Sequence, residues 1–341
     1  MELNTMILEE RINAFIALGK KLAELPAEQK QAWASQARSG NNWFTEESVE
    51  MAIRGIIDYL QEDALRKWLA DYSFGDIQKR VGVVMAGNIP AVGFHDFMSV
   101  LLSGHILYAK LSSQDEILPK KIAALLLDIE PGFASQLQFM ERLNKAQAII
   151  ATGSDNSARY FKYYFGKVPN IIRQNRTSCA VLSGEENTQD FVKLGEDIFH
   201  YFGLGCRNVS KLYVPQDYDF TPLLDALAPF KNVMNHNKYV NNYDYNKSIL
   251  LVNQVPHYDN GFLLLTENTS LVSPVSVVYY EYYTNAQDLA FQLELHRSKI
   301  QCVVTGNENI PGSIPFGQAQ HPQVWDYADG VDTMQFLQSL S

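Results

Sequence analysis

The sequence predicts an α/β protein in which short apolar strands alternate with helices, preceded by a helical N-terminal segment. Three observations lead to this fold class. Residues 5–72 carry apolar positions at helical spacing, and apolar runs of strand length begin at Val81. Each of the first three runs ends in a turn that leads into another helical stretch. Strands that alternate with helices form βαβ units around a mostly parallel sheet.

The N-terminal segment contains two apolar stripes with the period of an amphipathic helix. The first stripe consists of Ile7, Ile12, Phe15, Ile16 and Leu22, and the second of Ala52, Ile53, Ile56, Ile57 and Leu60. Asn41 and Asn42 interrupt the helical pattern between them. Thr45 precedes two glutamates, which predicts a helix N-cap with acids in the first turn.

The strand candidates are spread over both halves of the chain. In the first half they are residues 81–86, 106–110 and 148–151, and in the second half residues 179–182, 211–214, 248–252, 275–280 and 302–305. The predicted helices of the second half lie near 188–202, 219–227 and 286–296, and the Asn- and Tyr-rich residues 235–246 favour a polar loop. We expect two lobes, each with a mostly parallel sheet flanked by helices.

The expected domain change lies close to Leu182, where the first series of strands ends. Residues 1–182 would then hold the helical segment and a cofactor-binding domain, and residues 183–314 a second domain. Residues 315–341 are a candidate for completing the first domain.

The composition is typical of a folded protein and makes several functions poor candidates. The chain has 341 residues, of which 46% are hydrophobic and 19% charged. A net charge of −10 and the lack of a basic tract argue against nucleic acid as a partner. The start is acidic rather than basic, and no apolar run has membrane-spanning length, so we expect a cytoplasmic protein without an integral membrane segment. Three widely spaced cysteines suit a reducing compartment and indicate neither a disulfide framework nor a zinc site.

Cys206 lies in the motif Gly-Cys-Arg-Asn-Val-Ser at residues 205–210. Glycines at 203 and 205 would let a carbonyl approach the thiol closely. If the turn led into a helix, its backbone N–H groups would favour the thiolate and bind an oxyanion. The alternative is that Cys206 is a small apolar core residue, which is the commoner environment of a free cysteine.

Further motifs occur in a fixed order after Val81. They are Gly-Asn-Ile-Pro at 87–90, Ala-Lys-Leu-Ser at 109–112, Ala-Thr-Gly-Ser at 151–154, the Cys206 motif, Phe-Gly-Gln-Ala-Gln-His-Pro at 316–322, and residues 326–334. Together they resemble the aldehyde dehydrogenase superfamily. Within it the sequence is most similar to the acyl-CoA reductase family, typified by the fatty-acid reductase subunit of bacterial luminescence.

The resemblance implies that Cys206 is a nucleophile and that the Asn88 amide joins the Cys206 N–H as oxyanion hole. Read from residue type alone, Asn88 could instead cap the helix that follows. Arg207 could lower the thiol pKa or contact an anionic substrate, but pairing with a nearby carboxylate is the favoured interpretation.

The resemblance also implies a nicotinamide cofactor. Lys110, with Ser112 of the same motif, matches the ribose-binding position, although a lysine at a strand end is more often a solvated charge. Ser113 stands where other members carry a ribose-binding glutamate, which favours NADPH while leaving NADH open. Gly153 and Ser154 match the turn beside the pyrophosphate; alone they would be a helix-capping turn.

Two departures from the superfamily pattern bear on the reaction. Other members carry a glutamate just before the domain change that activates water, whereas residues 169–178 contain no acid. A second glutamate, which contacts the nicotinamide ribose in other members, aligns with about Ser270 in this sequence.

The implied function is NADPH-dependent reduction of a long-chain acyl-CoA or acyl-protein thioester to an aldehyde through an acyl-cysteine. The alternatives are a CoA-acylating aldehyde dehydrogenase that works oxidatively and a non-catalytic relative that binds a partner such as an acyl-activating synthetase. The chain is shorter than typical members, largely before Val81, so the oligomeric state stays open.

Overall fold

A computed structural model describes residues 6–306 and 310–341. The chain divides into two compact units, Met1–Asn175 with Gln323–Ser341, and Arg176–Pro322. The sequence placed the domain change close to Leu182, but it comes at Asn175, because the strand that follows pairs within the second sheet. The segment that returns to the first unit begins at Gln323 rather than at residue 315.

Four helices form the N-terminal segment, as predicted. They are α1 (Leu8–Ala23), α2 (Ala27–Gly40), α3 (Glu46–Tyr59) and α4 (Glu62–Leu69). The first predicted stripe is buried apart from Ile7, which is 62% exposed because it precedes α1 at the N-cap position. Thr45 caps α3, since its Oγ1 accepts a hydrogen bond from the Ser48 N–H at 3.1 Å.

The first sheet is parallel and has the strand order β3-β2-β1-β4-β5. Its strands are β1 (Arg80–Val84), β2 (Ile106–Lys110), β3 (Leu137–Phe139), β4 (Ala148–Thr152) and β5 (Asn170–Arg173). The helices of this region are α5 (Phe94–Leu102), α6 (Ile117–Ile129) and α7 (Asp155–Phe165). The prediction missed β3 and β5, which have only three and four residues and include exposed positions.

The second sheet has the order β11-β6-β7-β10-β9-β8, and only the pair β8 with β9 is antiparallel among the described strands. Its strands are β6 (Thr177–Val181), β7 (Val209–Pro215), β8 (Tyr258–Asp259), β9 (Leu264–Glu267), β10 (Val277–Tyr283) and β11 (Ile300–Thr305). The helices are α8 (Thr188–Phe199), α9 (Thr221–Ala226), α10 (Asn237–Val252) and α11 (Ala286–His296).

Helix α10 corrects two predictions, because it contains most of the expected loop 235–246 and all of the expected strand 248–252. Tyr239, Tyr243 and Asn246 are buried on one helical face, and the two phenol groups donate hydrogen bonds to the Phe262 carbonyl and to Asp259. The apolar end of the helix is exposed and joins no sheet. The prediction also missed the short buried strand β9.

The returning segment includes α12 (Thr333–Gln338) and is tied to the first unit by polar side chains. Trp68 donates to the Tyr327 hydroxyl at 2.7 Å, and the Tyr72 hydroxyl donates to Asp332 at 2.7 Å. Within residues 6–306 and 310–341, we find no helix with the length and apolarity to cross a membrane.

Candidate active site

The Cys206 turn, which we define as residues 205–208, connects the end of α8 with β7. Cys206 is exposed, whereas Cys179 is buried and Cys302 is half-buried. The interpretation of Cys206 as an apolar core residue is therefore wrong. The turn runs into a strand and not into a helix, so any oxyanion donor here must come from the turn itself.

The Cys206 turn is held by the side chain of Asn208, which is 2% exposed. Its Oδ1 accepts a hydrogen bond from the Gly205 N–H at 2.8 Å, and its own N–H donates to the Gly205 carbonyl at 3.1 Å. The Nδ2 group donates to the carbonyls of Asp197 and His200 at 3.1 and 2.8 Å, with Ile198 at 3.4 Å. One buried amide thus joins the turn to the end of α8.

Ser178 on β6 supports the turn from another direction. Its hydroxyl donates to the Cys206 carbonyl at 3.1 Å and lies 3.0 Å from the Cys302 sulfur. Burial raises the pKa of Cys302, although the Arg207 guanidinium opposes this effect. Cys302 therefore stays protonated near neutral pH, and the accessible thiol of this region is Cys206.

Asp197 on α8 fixes the motif at residues 316–322. Its buried carboxylate accepts hydrogen bonds from the N–H groups of Gly317 and Ala319 at 2.7 and 2.9 Å. Burial raises the pKa of Asp197 to about 7, although these two N–H groups act in the opposite direction. Arg207, which was expected to pair with a carboxylate, donates to the Ala319 carbonyl at 3.4 Å. The motif therefore lies beside the Cys206 turn.

The Asn88 turn, which we define as residues 87–91, belongs to the first unit and connects β1 with α5. Asn88 is exposed. The N-cap residue of α5 is Gly93, and no side chain caps this helix. The alternative interpretation of Asn88 as a helix cap is therefore wrong.

Side chains from distant parts of the first unit hold the Asn88 turn. The Asn41 amide donates to the Gly87 carbonyl at 3.1 Å, and Asp115 accepts from the Ala91 N–H at 2.7 Å. Ala91 has a left-handed backbone, with φ of 53°, which this bond helps to retain. Burial raises the pKa of Asp115 to about 7.

Lys110 is exposed at the end of β2 and lines a pocket of about 270 Å³ in the first unit. Arg142 is a second cation in the lining, which continues over Tyr164, Phe165 and aliphatic side chains. The described residues of the lining include no carboxylate. Two cations together with apolar and aromatic side chains fit a phosphorylated nucleoside, because phosphate requires cationic donors and the base requires apolar contact. The residues present therefore fit one end of a nicotinamide dinucleotide.

Ser112 and Ser113 follow Lys110 but lie outside the described lining of this pocket. The Ser112 hydroxyl accepts from the Gln114 N–H at 3.2 Å and lies against Gly87, where an added Cβ would come within 2.6 Å of it. Ser112 thus packs against the Asn88 turn, while Ser113 is exposed.

Ser154 is the N-cap of α7, since its Oγ accepts from the Ser157 N–H at 3.2 Å. A Cβ on Gly153 would come within 2.9 Å of the Phe161 ring, so a side chain there would disturb the packing of α7. The helix-capping alternative for this motif is therefore realised. The cap occupies the Ser157 N–H of the first helical turn.

Arg173, at the end of β5, lies within the acid-free residues 169–178. Its guanidinium pairs with Asp96 at 2.5 Å and donates to the Thr333 hydroxyl at 2.8 Å. The Arg173 and Asp96 side chains are only 4% and 10% exposed. The sequence does not predict this pair, because its members are 77 residues apart and neither belongs to a recognisable motif.

Lys211 on β7 was another residue that the sequence did not reveal as important. Its side chain is fully buried and pairs with Glu281 at 2.7 Å. The ammonium also donates to the carbonyls of Asn268 and Ser270. Lys211 thus fixes the loop that contains Ser270. Among the described residues, no group of three or more His, Cys, Asp or Glu could hold a metal ion.

Comparison with known proteins identifies the fold. No protein-family model matches the sequence. No curated protein matches it either. Solved structures do match. Among them are an indole-3-acetaldehyde dehydrogenase of P. syringae in complex with NAD+ and IAA, an NADP dependent enzyme of E. coli, and an aldehyde dehydrogenase of Bacillus cereus in complex with NAD+.

The three matches cover 92, 93 and 91% of this chain and 75, 77 and 74% of theirs. Their TM-scores are 0.65, 0.65 and 0.64, at sequence identities of 12, 12 and 11%. The fold is therefore that of the aldehyde dehydrogenases, and the predicted fold class is confirmed. At this identity the likeness concerns the fold alone, so the resemblance to the acyl-CoA reductase family stays a prediction.

Proposed function

We propose that the protein is a nicotinamide-dependent oxidoreductase that acts on aldehydes or their acyl thioesters through Cys206. More specifically, we propose that it reduces an acyl-CoA, or an acyl-protein thioester, to the aldehyde with NADPH. The observation that carries the proposal is the exposed Cys206 thiol on a turn held by Asn208 and Ser178, in an aldehyde dehydrogenase fold.

In the proposed reaction the Cys206 thiolate attacks the thioester carbonyl, and the tetrahedral oxyanion expels CoA as a thiolate, which takes a proton from solvent. The Cys206 N–H and the Asn88 amide are the proposed oxyanion donors. The acyl group is then bonded to the Cys206 sulfur. The chemistry that NADPH would supply when bound is a hydride for that acyl carbon. The resulting oxyanion then collapses to the aldehyde as the Cys206 thiolate leaves, and no further proton is needed.

The lack of a base for hydrolysis supports reduction over acid formation. Residues 169–178 contain no acid, and Arg173, which ends β5, is committed to Asp96. A water molecule near an acyl-Cys206 would have no carboxylate from this segment to deprotonate it. The thioester can therefore persist until it is reduced or returned to a thiol.

We propose that the pocket beside Lys110 takes the adenosine end of the cofactor. Lys110 and Arg142 would bind the 2′-phosphate that distinguishes NADPH from NADH, and Tyr164 or Phe165 would contact the base. Ser113 brings no negative charge to this region, which favours NADPH over NADH. Gly153 and Ser154 are proposed to approach the pyrophosphate through the backbone at the start of α7.

The oxidative alternative, a CoA-acylating aldehyde dehydrogenase, uses the same acyl-Cys206 in the opposite direction, and the same lack of a base favours it equally. A role as a partner-binding relative, for example of an acyl-activating synthetase, requires no thiol chemistry. The exposure of Cys206 argues against that role.

The first test compares the native protein with Cys206→Ala, using myristoyl-CoA and NADPH. We expect only the native protein to consume NADPH, seen as loss of its absorbance, and to form an equimolar amount of aldehyde. Thermal unfolding of both proteins shows whether the variant is folded. Acylation of Cys206 without NADPH consumption would reject the reductase function in favour of acyl transfer. If the native protein forms acyl-CoA from aldehyde, CoA and NADP+ but does not reduce myristoyl-CoA, this result would support the oxidative enzyme.

A second test examines the cofactor site with Arg142→Ala. Loss of a charge-assisted hydrogen bond to phosphate should raise the KM for NADPH about tenfold and leave that for NADH unchanged. Lys145→Ala is the matched control, because Lys145 is an exposed cation of the same loop outside the described pocket lining. Equal effects of the two substitutions would mean that Arg142 makes no specific contact.

A further inference from the structure

The side chain of Asn208 uses both its oxygen and its nitrogen on backbone groups. Its Oδ1 holds the Gly205 N–H, and its Nδ2 faces three carbonyls at the end of α8. The Asn208 backbone closes the same turn on the Gly205 carbonyl and also receives the Ser178 N–H. The N–H and the carbonyl of Gly205, the residue before Cys206, are thus bound by the side chain and by the backbone N–H of Asn208.

The Asn208 contacts extend to the segment at 317–319. The carbonyl of Asp197 accepts from the Asn208 amide, and its carboxylate accepts from Gly317 and Ala319. Arg207, between Cys206 and Asn208, donates to the Ala319 carbonyl. The Cys206 turn is therefore fixed on one side to α8 and on the other to residues 317–319.

We propose that Asn208 is a positioning residue that holds Cys206 in the orientation needed for attack on a carbonyl. This inference rests on the proposed function of Cys206 as nucleophile. Asn208 itself need not touch the substrate. Its contribution is geometric, because acyl transfer requires the thiolate and the oxyanion donors in a fixed relation. Alkylation of an exposed thiol by a small reagent has no such requirement.

The experiment compares the full-length native protein with Asn208→Ala and with Asn246→Ala. Asn246 is the matched control, because it is a buried asparagine of the same unit whose amide bonds to the Val275 carbonyl rather than to the Cys206 turn. Three quantities are measured: hydrogen exchange of the peptide around residues 203–209, alkylation of Cys206 by iodoacetamide, and single-turnover acylation of Cys206 by myristoyl-CoA.

For Asn208→Ala we expect exchange at the turn to accelerate about tenfold or more, since a buried hydrogen bond is lost. Acylation should slow about 100-fold, as expected for a misplaced reacting group, while alkylation changes less than about threefold. Asn246→Ala should leave all three quantities at the turn unchanged. A general loss of structure would instead change alkylation and exchange throughout the protein.

Asn208→Asp provides a second signature. The introduced carboxylate would face three carbonyl oxygens, and only its protonated form could donate to one of them while still accepting from Gly205. We therefore expect its acylation rate, relative to the native protein at the same pH, to recover as the pH falls from 8 to 6.

The results with Asn208→Ala decide whether Asn208 positions Cys206. Unchanged exchange in Asn208→Ala would overturn the inference, because the turn would then hold itself. Faster exchange with a normal acylation rate would also overturn it. If the native protein forms no acyl-Cys206, the proposed function fails, and the exchange data still show whether Asn208 holds the turn.

Discussion

The two candidate site turns are held by the same kinds of side chain but from different distances along the chain. The Asn88 turn depends on Asn41, 46 residues before the carbonyl it binds, and on Asp115, 24 residues beyond its Ala91 partner. The Cys206 turn is closed by Asn208, only three residues from Gly205. A turn held only from afar requires the whole unit to be folded, whereas the Cys206 turn contains its own closing bond, to which the folded unit adds the bonds of Ser178 and Arg207.

The two units also differ in how they bury a cation. Arg173 and Asp96 in the first unit are both nearly inaccessible, with side chains 4% and 10% exposed. Lys211 in the second unit is inaccessible, but its partner Glu281 is 25% exposed. Water can therefore solvate Glu281 when its partner is lost, but it reaches Asp96 poorly.

The largest expected effect sharpens this difference. Arg173→Ala should lower the free energy of unfolding by about 3–5 kcal/mol, because it leaves a buried carboxylate without its cation. Lys211→Ala should cost about 1–3 kcal/mol, since Glu281 regains water. Urea unfolding of both variants measures the difference. A larger loss for Lys211→Ala would mean that its bonds to the loop around Ser270 matter more than the ion pair.

The second effect is shared by Asp115 and Asp197, whose pKa values are both raised to about 7 by burial. Between about pH 4 and pH 7 the folded state binds a proton that the unfolded state has lost. Stability should therefore fall as the pH rises through this window, by up to about 1.4 kcal/mol per pH unit for each group.

Asp115→Asn and Asp197→Asn should each remove part of that slope, measured as urea unfolding at pH 5, 6 and 7. Asp219→Asn is a suitable control, because it is an exposed carboxylate whose pKa is lowered by its hydrogen bonds to Thr221. A slope that is unchanged in both buried variants would show that neither group carries the proton in the folded state.

A third prediction tests the distant support of the Asn88 turn. Asn41→Ala should destabilise the protein by about 1–3 kcal/mol, because it leaves the Gly87 carbonyl without its donor. Asn13→Ala, which alters an exposed amide of α1, should change stability by less than about 0.5 kcal/mol. Chemical unfolding separates these outcomes. Equal effects would mean that the Asn41 hydrogen bond contributes no more to stability than the exposed Asn13 amide does.

The smallest effects concern the N-caps of α7 and α8, one in each unit. Ser154 accepts one backbone N–H, whereas Asn187 accepts two, from Gln189 and Asp190. Alanine at either position should cost about 1 kcal/mol, with the larger loss at Asn187. Thermal unfolding midpoints of the two variants provide the comparison, and the reverse order would indicate that Ser154 contributes beyond capping.

The fold was predictable where the residues of a single strand or helix are enough to indicate that element. Strands β1, β2 and β4 are fully apolar at their centres, and α3 has a threonine cap with two following acids. Helix α10 was misread because its buried face consists of tyrosines and an asparagine, which have modest helix propensity. Its end is apolar yet exposed, so apolar character there misleads.

The candidate site was predictable only in part. Cys206 stands out as a glycine-flanked cysteine, and its exposure excludes the core alternative. The contacts of the Asn208 side chain form only because the chain turns back to the end of α8. The motif at residues 205–210 does not predict that turn. Tertiary folding brings Arg173 into contact with Asp96. It also places Arg142 and Lys110 in the lining of one pocket. Long-range pairing of this kind leaves no periodic signal in a single sequence.

The return of residues 323–341 to the first unit has a consequence for synthesis on the ribosome. The second unit is one continuous stretch and has all its strands once residue 322 has emerged, whereas the first unit waits for the segment that carries Tyr327, Asp332 and Thr333. Until then the Arg173 guanidinium has Asp96 without its hydroxyl partner. The unit that begins first during translation is therefore the one that receives its last segment only after the second unit has been made.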